Sequence, residues 1–277
     1  MADTGVADTG VADTGVADTG VADTGVAGLR LGATWGLDFP GPPGERSFVA
    51  MGGELLAGAP VGDGQHVPGA SGPGTSGPGT SGPGPVLSRP LDYLVVAHEA
   101  YDAAPAGLAA GFLADACPGE PRAFSVADQG IGAPFSGLKV LDRIHRSGGL
   151  SDAALFVLDP AAGAVLALGG TGGWALEAVA EERAAEAADC LPLLGPAART
   201  SYVLGNGLRD LARPLEAAGA MVRTAGPAHG CAGVWRALRD ATADVAADGA
   251  GEGAERLVIA DRDRGPGRLH VAVFVRA

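Results

Sequence analysis

The sequence predicts an α/β protein in which the second half repeats the plan of the first. Three observations carry this. Short, continuous apolar runs at residues 91–97 and 153–158 have the length and β-prone composition of strands buried on both faces. Amphipathic stretches alternate with them; after Gly132, Leu138, Leu141, Ile144 and His145 fall at helical spacing. Beyond residue 174 the same alternation of helical and extended segments recurs, the pattern of a sheet covered by helices.

In chain order, residues 1–27 are a pentapeptide repeat of five copies with no large apolar residue to fill the inside of a coil. A four-sided β-helix therefore has nothing to bury, and the composition predicts disorder. Residues 28–70 form an N-terminal segment of the body. Leu29, Leu31, Ala33 and Trp35 alternate like a strand, and residues 48–56 are apolar but undecided between helix and loop. Residues 71–85 repeat Ser-Gly-Pro-Gly-Thr and read as a linker or loop insertion. The main body is 86–277. After its first strand comes a helix over residues 105–116 with Leu108, Phe112 and Leu113 on one side. Residues 153–158 and 163–168 read as a hairpin turning at Asp159-Pro160-Ala161-Ala162. A long helix is predicted from Trp174 to about Ala188, with a Glu/Arg-rich outer face. A strand at 202–204, a helix at 208–218, a strand at 221–223 and a helix from Val234 to about Ala247 follow. Two antiparallel strands at 256–260 and 269–275 close the chain.

Composition narrows the function. A length of 277 residues with 47% hydrophobic content is ample for a core. Removing the five aspartates of the repeat from the net charge of −13 leaves about −8, which disfavours nucleic acid as a partner. No apolar run is long enough for a membrane span, and no secretory leader is recognisable, so a cytoplasmic protein is expected. Cys117, Cys190 and Cys231 are far apart and odd in number, which supports neither a disulfide framework nor a zinc site. No cofactor and no metal are called for.

The stretch from Ala123 to Asp159 draws the most attention. A strand turning sharply into a helix at Gln129-Gly130-Ile131-Gly132 presents the turn at a helix N-terminus, where free N–H groups favour a nucleophile or an anion. Ser136 lies about a turn into that helix, without the Gly-x-Ser-x-Gly setting of a hydrolase serine. The glycine run 169–173 lacks the spacing and the Lys-Ser/Thr ending of a phosphate loop and reads as a connection. Gln129 is expected to bond backbone groups of its turn. Asn206, between glycines, reads as a turn residue tolerant of left-handed geometry. Cys231 is expected to be a buried small hydrophobe, and His98 a surface residue at a strand end.

The order of elements resembles the thiolase-like condensing enzymes, the β-ketoacyl synthase superfamily of fatty-acid and polyketide synthesis. LDYLVVAHEAYDAAPAGLAAGFLADA is similar to the strand and helix ahead of the family's nucleophile. FSVADQGIGAPFSGLKVLDRIHRSGGLSDAALFVLD is similar to the elbow strand, its helix and the next strand. SYVLGNGLRDL and PAHGCAGVWRALRDA are similar to the segments that deliver the two further catalytic residues, and RLVIADRDRGPGRLHVAVFVRA to the terminal hairpin. The resemblance implies a layered fold of two related βαβ halves, reduced in size. It places Asn206 where the family has its first catalytic histidine and His229 where it has the second histidine or asparagine.

The family's nucleophile is an elbow cysteine, and the corresponding turn here, Gln129, Gly130, Ile131 and Gly132, has none. The resemblance thus implies a non-condensing partner, comparable with chain-length-factor subunits, which pairs as a dimer with an active β-ketoacyl synthase and works with an acyl carrier protein. Two alternatives stand beside it. One is a cysteine-independent decarboxylase or acyltransferase on acyl thioesters using His229 and Asn206. The other is an unrelated small-molecule-binding α/β protein.

Overall fold

The computed structural model describes residues 28–39, 46–58, 87, 89–99, 109–226, 230–247 and 254–277. The pentapeptide repeat, the Ser/Gly/Pro tract and His229 lie outside the described residues.

Ten strands form one sheet: β1 (Arg30–Asp38), β2 (Tyr93–His98), β3 (Arg122–Val126), β4 (Asp152–Asp159), β5 (Ala162–Gly169), β6 (Trp174–Arg183), β7 (Thr200–Leu204), β8 (Met221–Thr224), β9 (Arg256–Asp263) and β10 (Arg268–Arg276). Their order is β3-β2-β4-β5-β1-β6-β10-β9-β7-β8, which is one five-strand pattern followed by its mirror image. In the first half β3, β2 and β4 are parallel, and β5 and β1 follow antiparallel. In the second half β8, β7 and β9 are parallel, with β10 and β6 antiparallel. Among the described residues the two halves of the sheet are joined by the pairing of Arg30 with Ala175 and of Leu31 with Trp174.

The continuous apolar runs are explained by what lies on each face. Along β4, Ala153, Leu155 and Val157 pack into a central core, whereas Ala154, Phe156 and Leu158 pack into an outer one. Strand β9 does the same, with Leu257 and Ile259 inward and Val258 and Ala260 outward. The central core is filled by α3 (Ala133–Arg146) and α6 (Gly233–Ala247), each in contact with strands of both halves. Phe135 of α3 and Trp235 of α6 meet there with ring centroids 5.0 Å apart. Tilted aromatic pairs of this kind add roughly 1 kcal/mol to the burial of the rings. Helices α1 (Phe48–Ala57) and α2 (Ala109–Ala116) cover the outer face of the first half; α4 (Leu191–Leu194) and α5 (Ala212–Ala217) cover that of the second. Five layers result, helix-sheet-helix-sheet-helix.

Several expectations hold. The hairpin of β4 and β5 turns where predicted, with Asp159 opposite Ala162. Residues 48–57 resolve as helix, capped by Ser47, whose hydroxyl accepts the Ala50 N–H at 3.2 Å. The expected helix at 174–188 does not exist: Trp174–Arg183 is strand β6, and only a 3-10 turn at Ala187–Cys190 and the short α4 follow. Alanine and glutamate favour helix intrinsically, but pairing with β10 from Arg268 opposite Arg183 to Arg276 opposite Trp174 outweighs a propensity worth tenths of a kcal/mol per residue. The helix expected at 208–218 is split into a 3-10 segment, Asn206–Leu211, and α5. On α2, Leu113 is buried as expected but Phe112 is half exposed, and Leu108 lies outside the described residues.

Candidate functional site

The elbow forms as the sequence suggests. Strand β3 ends at Val126, and the chain turns through Asp128 (φ 62°) and Gly130 (φ 54°) into a 3-10 turn at Gly130–Gly132 that runs straight into α3. A non-glycine residue in the left-handed region costs about 1 kcal/mol, so Asp128 marks a constrained turn. Gly132 leaves no room for a side chain, because a Cβ there would sit 2.9 Å from Nε2 of His270. No side chain caps the start of α3; the Gly132 N–H donates to the Gln129 carbonyl at 3.0 Å and the Ala133 N–H to the Gly130 carbonyl, and Pro134 has no N–H.

Beside the elbow lies a cavity of about 480 Å³ where three separate stretches converge: Ile131 from the elbow, Asn206 after β7 and Gly230 before α6. Glu99, Arg209, Asp261, Arg262, Asp263 and Arg264 complete its polar wall. Of the elbow residues, half-buried Ile131 faces this cavity, while Gln129 and Gly130 line a second recess with Ser136 and His270. The Gln129 side chain does not bond its own turn's backbone, where only the Gln129 carbonyl accepts, from the Gly132 N–H; its Oε1 accepts a hydrogen bond from the Ser136 hydroxyl.

Asn206 is tied down on both sides. Its Nδ2 donates to the Gly226 carbonyl at 3.0 Å, and its Oδ1 accepts from Arg209 at 3.2 Å. It is absent from the described non-glycine residues of positive φ, which are Asp128 and Arg199. The neighbouring glycines serve close approach instead. A Cβ on Gly205 would overlap the Asp261 carboxylate, and one on Gly207 the Arg262 carbonyl. His98 is buried rather than on the surface, with its ring 5.0 Å from that of Phe48. Cys231 is buried as expected, its thiol donating to the Leu158 carbonyl at 3.5 Å. Burial pushes that thiol well above its ordinary value, and the nearby Asp159 and Glu99 carboxylates push it further. The glycine run after β5 lines other recesses and not this cavity.

The two sheet halves place an aspartate at matching positions. Leu158 pairs with His98 and is followed by Asp159; Ala260 pairs with Leu204 and is followed by Asp261. Asp159 uses both oxygens on backbone N–H groups, Oδ1 for Ala161 and Ala162 and Oδ2 for Ala232. Together with Glu99, which accepts the Cys231 N–H at 3.1 Å, it occupies the approach to α6. Asp261 uses only Oδ1, which accepts the Gly207 and Arg262 N–H groups at 3.1 and 2.8 Å.

Burial raises the Asp261 carboxyl from 3.8 to about 6; Glu99 adds to the rise, while the two backbone N–H bonds and Arg264 oppose it. A carboxyl raised on folding stabilises most below its unfolded value, and that contribution is lost as pH rises through about 6. Asp261→Asn removes the loss. Its stability relative to the unsubstituted chain should therefore rise by on the order of 3 kcal/mol between pH 3.5 and pH 8 in urea titrations. A difference independent of pH would contradict the assignment. Sequence reasoning passed over Asp261. The signal was present in the internal match between Leu155-Phe156-Val157-Leu158-Asp159 and Leu257-Val258-Ile259-Ala260-Asp261.

No protein-family model and no curated protein matches the chain. Among solved structures it is similar to a tetronic acid condensing enzyme, at 14% identity over 66% of this chain and 75% of that one, with a TM-score of 0.51. It is also similar to the β-ketoacyl-[acyl carrier protein] synthase III of Thermus thermophilus, at 12% identity, 70% and 79% coverage and a TM-score of 0.52. For the 3-oxoacyl-[acyl-carrier-protein] synthase III of Aquifex aeolicus the values are 14%, 68% and 77%, and 0.50. The fold is thiolase-like, with two related halves as the sequence implied.

Proposed function

We propose that this chain is a ketosynthase-like protein of polyketide or fatty-acid biosynthesis that acts as the non-condensing partner of an active β-ketoacyl synthase. The observation that carries the reading is the chemistry of the elbow. At the place where a helix N-terminus meets the cavity, the side chain offered is Ile131, a hydrocarbon that cannot form a thioester. Cys231, next to Gly230 on the cavity wall, is 1% exposed and held as a thiol by burial, so it does not substitute. Condensing enzymes share the fold, and a scaffold retained without its nucleophile suits a subunit that shapes or supports a partner's site.

Among the described residues the outer strands β3 and β8 each pair on one side only, leaving edges at which a partner's sheet can continue. An acyl carrier protein supplies the pair with substrate. The test is co-expression with a condensing ketosynthase encoded in the same genome, reading complex formation and product.

A further inference from the structure

We propose that the cavity between the elbow and Asp261 is a binding site for a small carboxylate, which enters together with one proton taken up by Asp261. The inference rests on the cavity and not on the non-condensing reading. Asp261 is 5% exposed, yet among the described residues no donor reaches its Oδ2, and this oxygen is left to the cavity. Its counterpart in the first half, Asp159, has both oxygens engaged by the backbone. The charge of a carboxylate on so buried a residue is costly even with one oxygen open to the cavity, and a proton relieves that cost.

The groups facing Asp261 are Glu99 beyond β2, Asn206 and Arg209 after β7, and Arg262, Asp263 and Arg264 at the end of β9. The guanidinium groups of Arg209 and Arg264 face the carboxylates of Glu99 and Asp263, so a neutral Asp261 leaves this part of the wall uncharged and an ionised one makes it −1. Arg262 is turned away, donating to the Ala184 and Ala185 carbonyls. Arg264 makes one hydrogen bond, from Nη2 to the Asn206 carbonyl at 2.9 Å, and Arg209 reaches Asn206 and the Ala225 carbonyl. Both lie exposed at the mouth with N–H groups to spare. A carboxylate placed between them and Asp261 accepts from the guanidinium groups on one side. On the other it accepts the Asp261 O–H, the proton being drawn from solvent. Ile131 supplies the apolar wall for the ligand's carbon chain.

The probe is methoxyacetate, ionised throughout the range used, with methoxyacetamide as its neutral counterpart. If only the protonated site binds, a carboxyl near 6 makes affinity fall by up to about 75-fold from pH 5.5 to pH 8. Calorimetry at pH 7 in buffers of different ionisation enthalpy should show uptake of close to one proton. Asp261→Asn is isosteric and keeps an acceptor for the two backbone N–H groups. It should bind methoxyacetate with little pH dependence and no proton uptake. Arg264→Gln, at an exposed position, should weaken binding at every pH. The proposal is overturned by an unchanged pH profile in Asp261→Asn, by equal binding of the amide, or by the absence of saturable binding at pH 5.5. Each of these results leaves complex formation with a ketosynthase to be decided by its own assay.

Discussion

Gly207→Ala should unfold at a markedly lower temperature than the unsubstituted chain, and Gly205→Ala should do the same. Neither glycine has positive φ, so the loss does not come from backbone conformation. It comes from space: a Cβ on Gly207 would overlap the Arg262 backbone carbonyl, and one on Gly205 the buried Asp261 carboxylate. Backbone carbonyls cannot swing aside like a side-chain end, so the segment after β7 must lift off β9. That breaks the Gly207 N–H bond to Asp261 and the Gly205 N–H bond to the Ala260 carbonyl at 2.8 Å. Overpacking of this kind costs about 3 kcal/mol or more, a fall of about 6–12 °C for a chain of this size. Gly170→Ala is the control, since nothing lies within 4 Å of a Cβ there. Equal melting temperatures for Gly207→Ala and Gly170→Ala would contradict the packing described.

Ile131→Cys should create a cysteine far more reactive than any the chain now has. The side chain at 131 faces the cavity, half-buried, in the turn that opens α3, where the positive end of the helix dipole favours a thiolate. The native cysteines are all buried. Burial raises Cys117 to about 11 and also raises Cys190 and Cys231. Iodoacetamide at pH 7 should therefore label position 131 at least about tenfold faster than the other three, as read by peptide mass spectrometry. Labelling no faster than that of Cys231 would mean that the elbow does not present its residue to the cavity.

Much of this was legible in the sequence because both sheet halves are built from strands buried on two faces, which leave continuous apolar runs such as those of β2, β4 and β9. The hairpin at Asp159 and the amphipathic α3 were equally plain. Strand β6 was not, because its Ala- and Glu-rich sequence carries helix propensity and its strand state is imposed by β10, residues distant in the chain. The elbow was found, but the direction of its residues was not. Gln129 drew attention by its polarity, yet Ile131 is the residue that shares a cavity with Asn206. Asp261 was legible only as the second copy of the segment that ends at Asp159. What distinguishes it from Asp159, an oxygen with no backbone donor, leaves no pattern in a sequence.

The most direct measurement is co-expression with a condensing ketosynthase from the same genome, followed by size-exclusion chromatography and assay of product from acyl carrier protein substrates. A stable complex is expected in which condensation depends on the partner's cysteine, with no condensed product from this chain alone. Condensation by the isolated chain, or a ketosynthase that elutes apart from it and works equally well without it, would contradict the account.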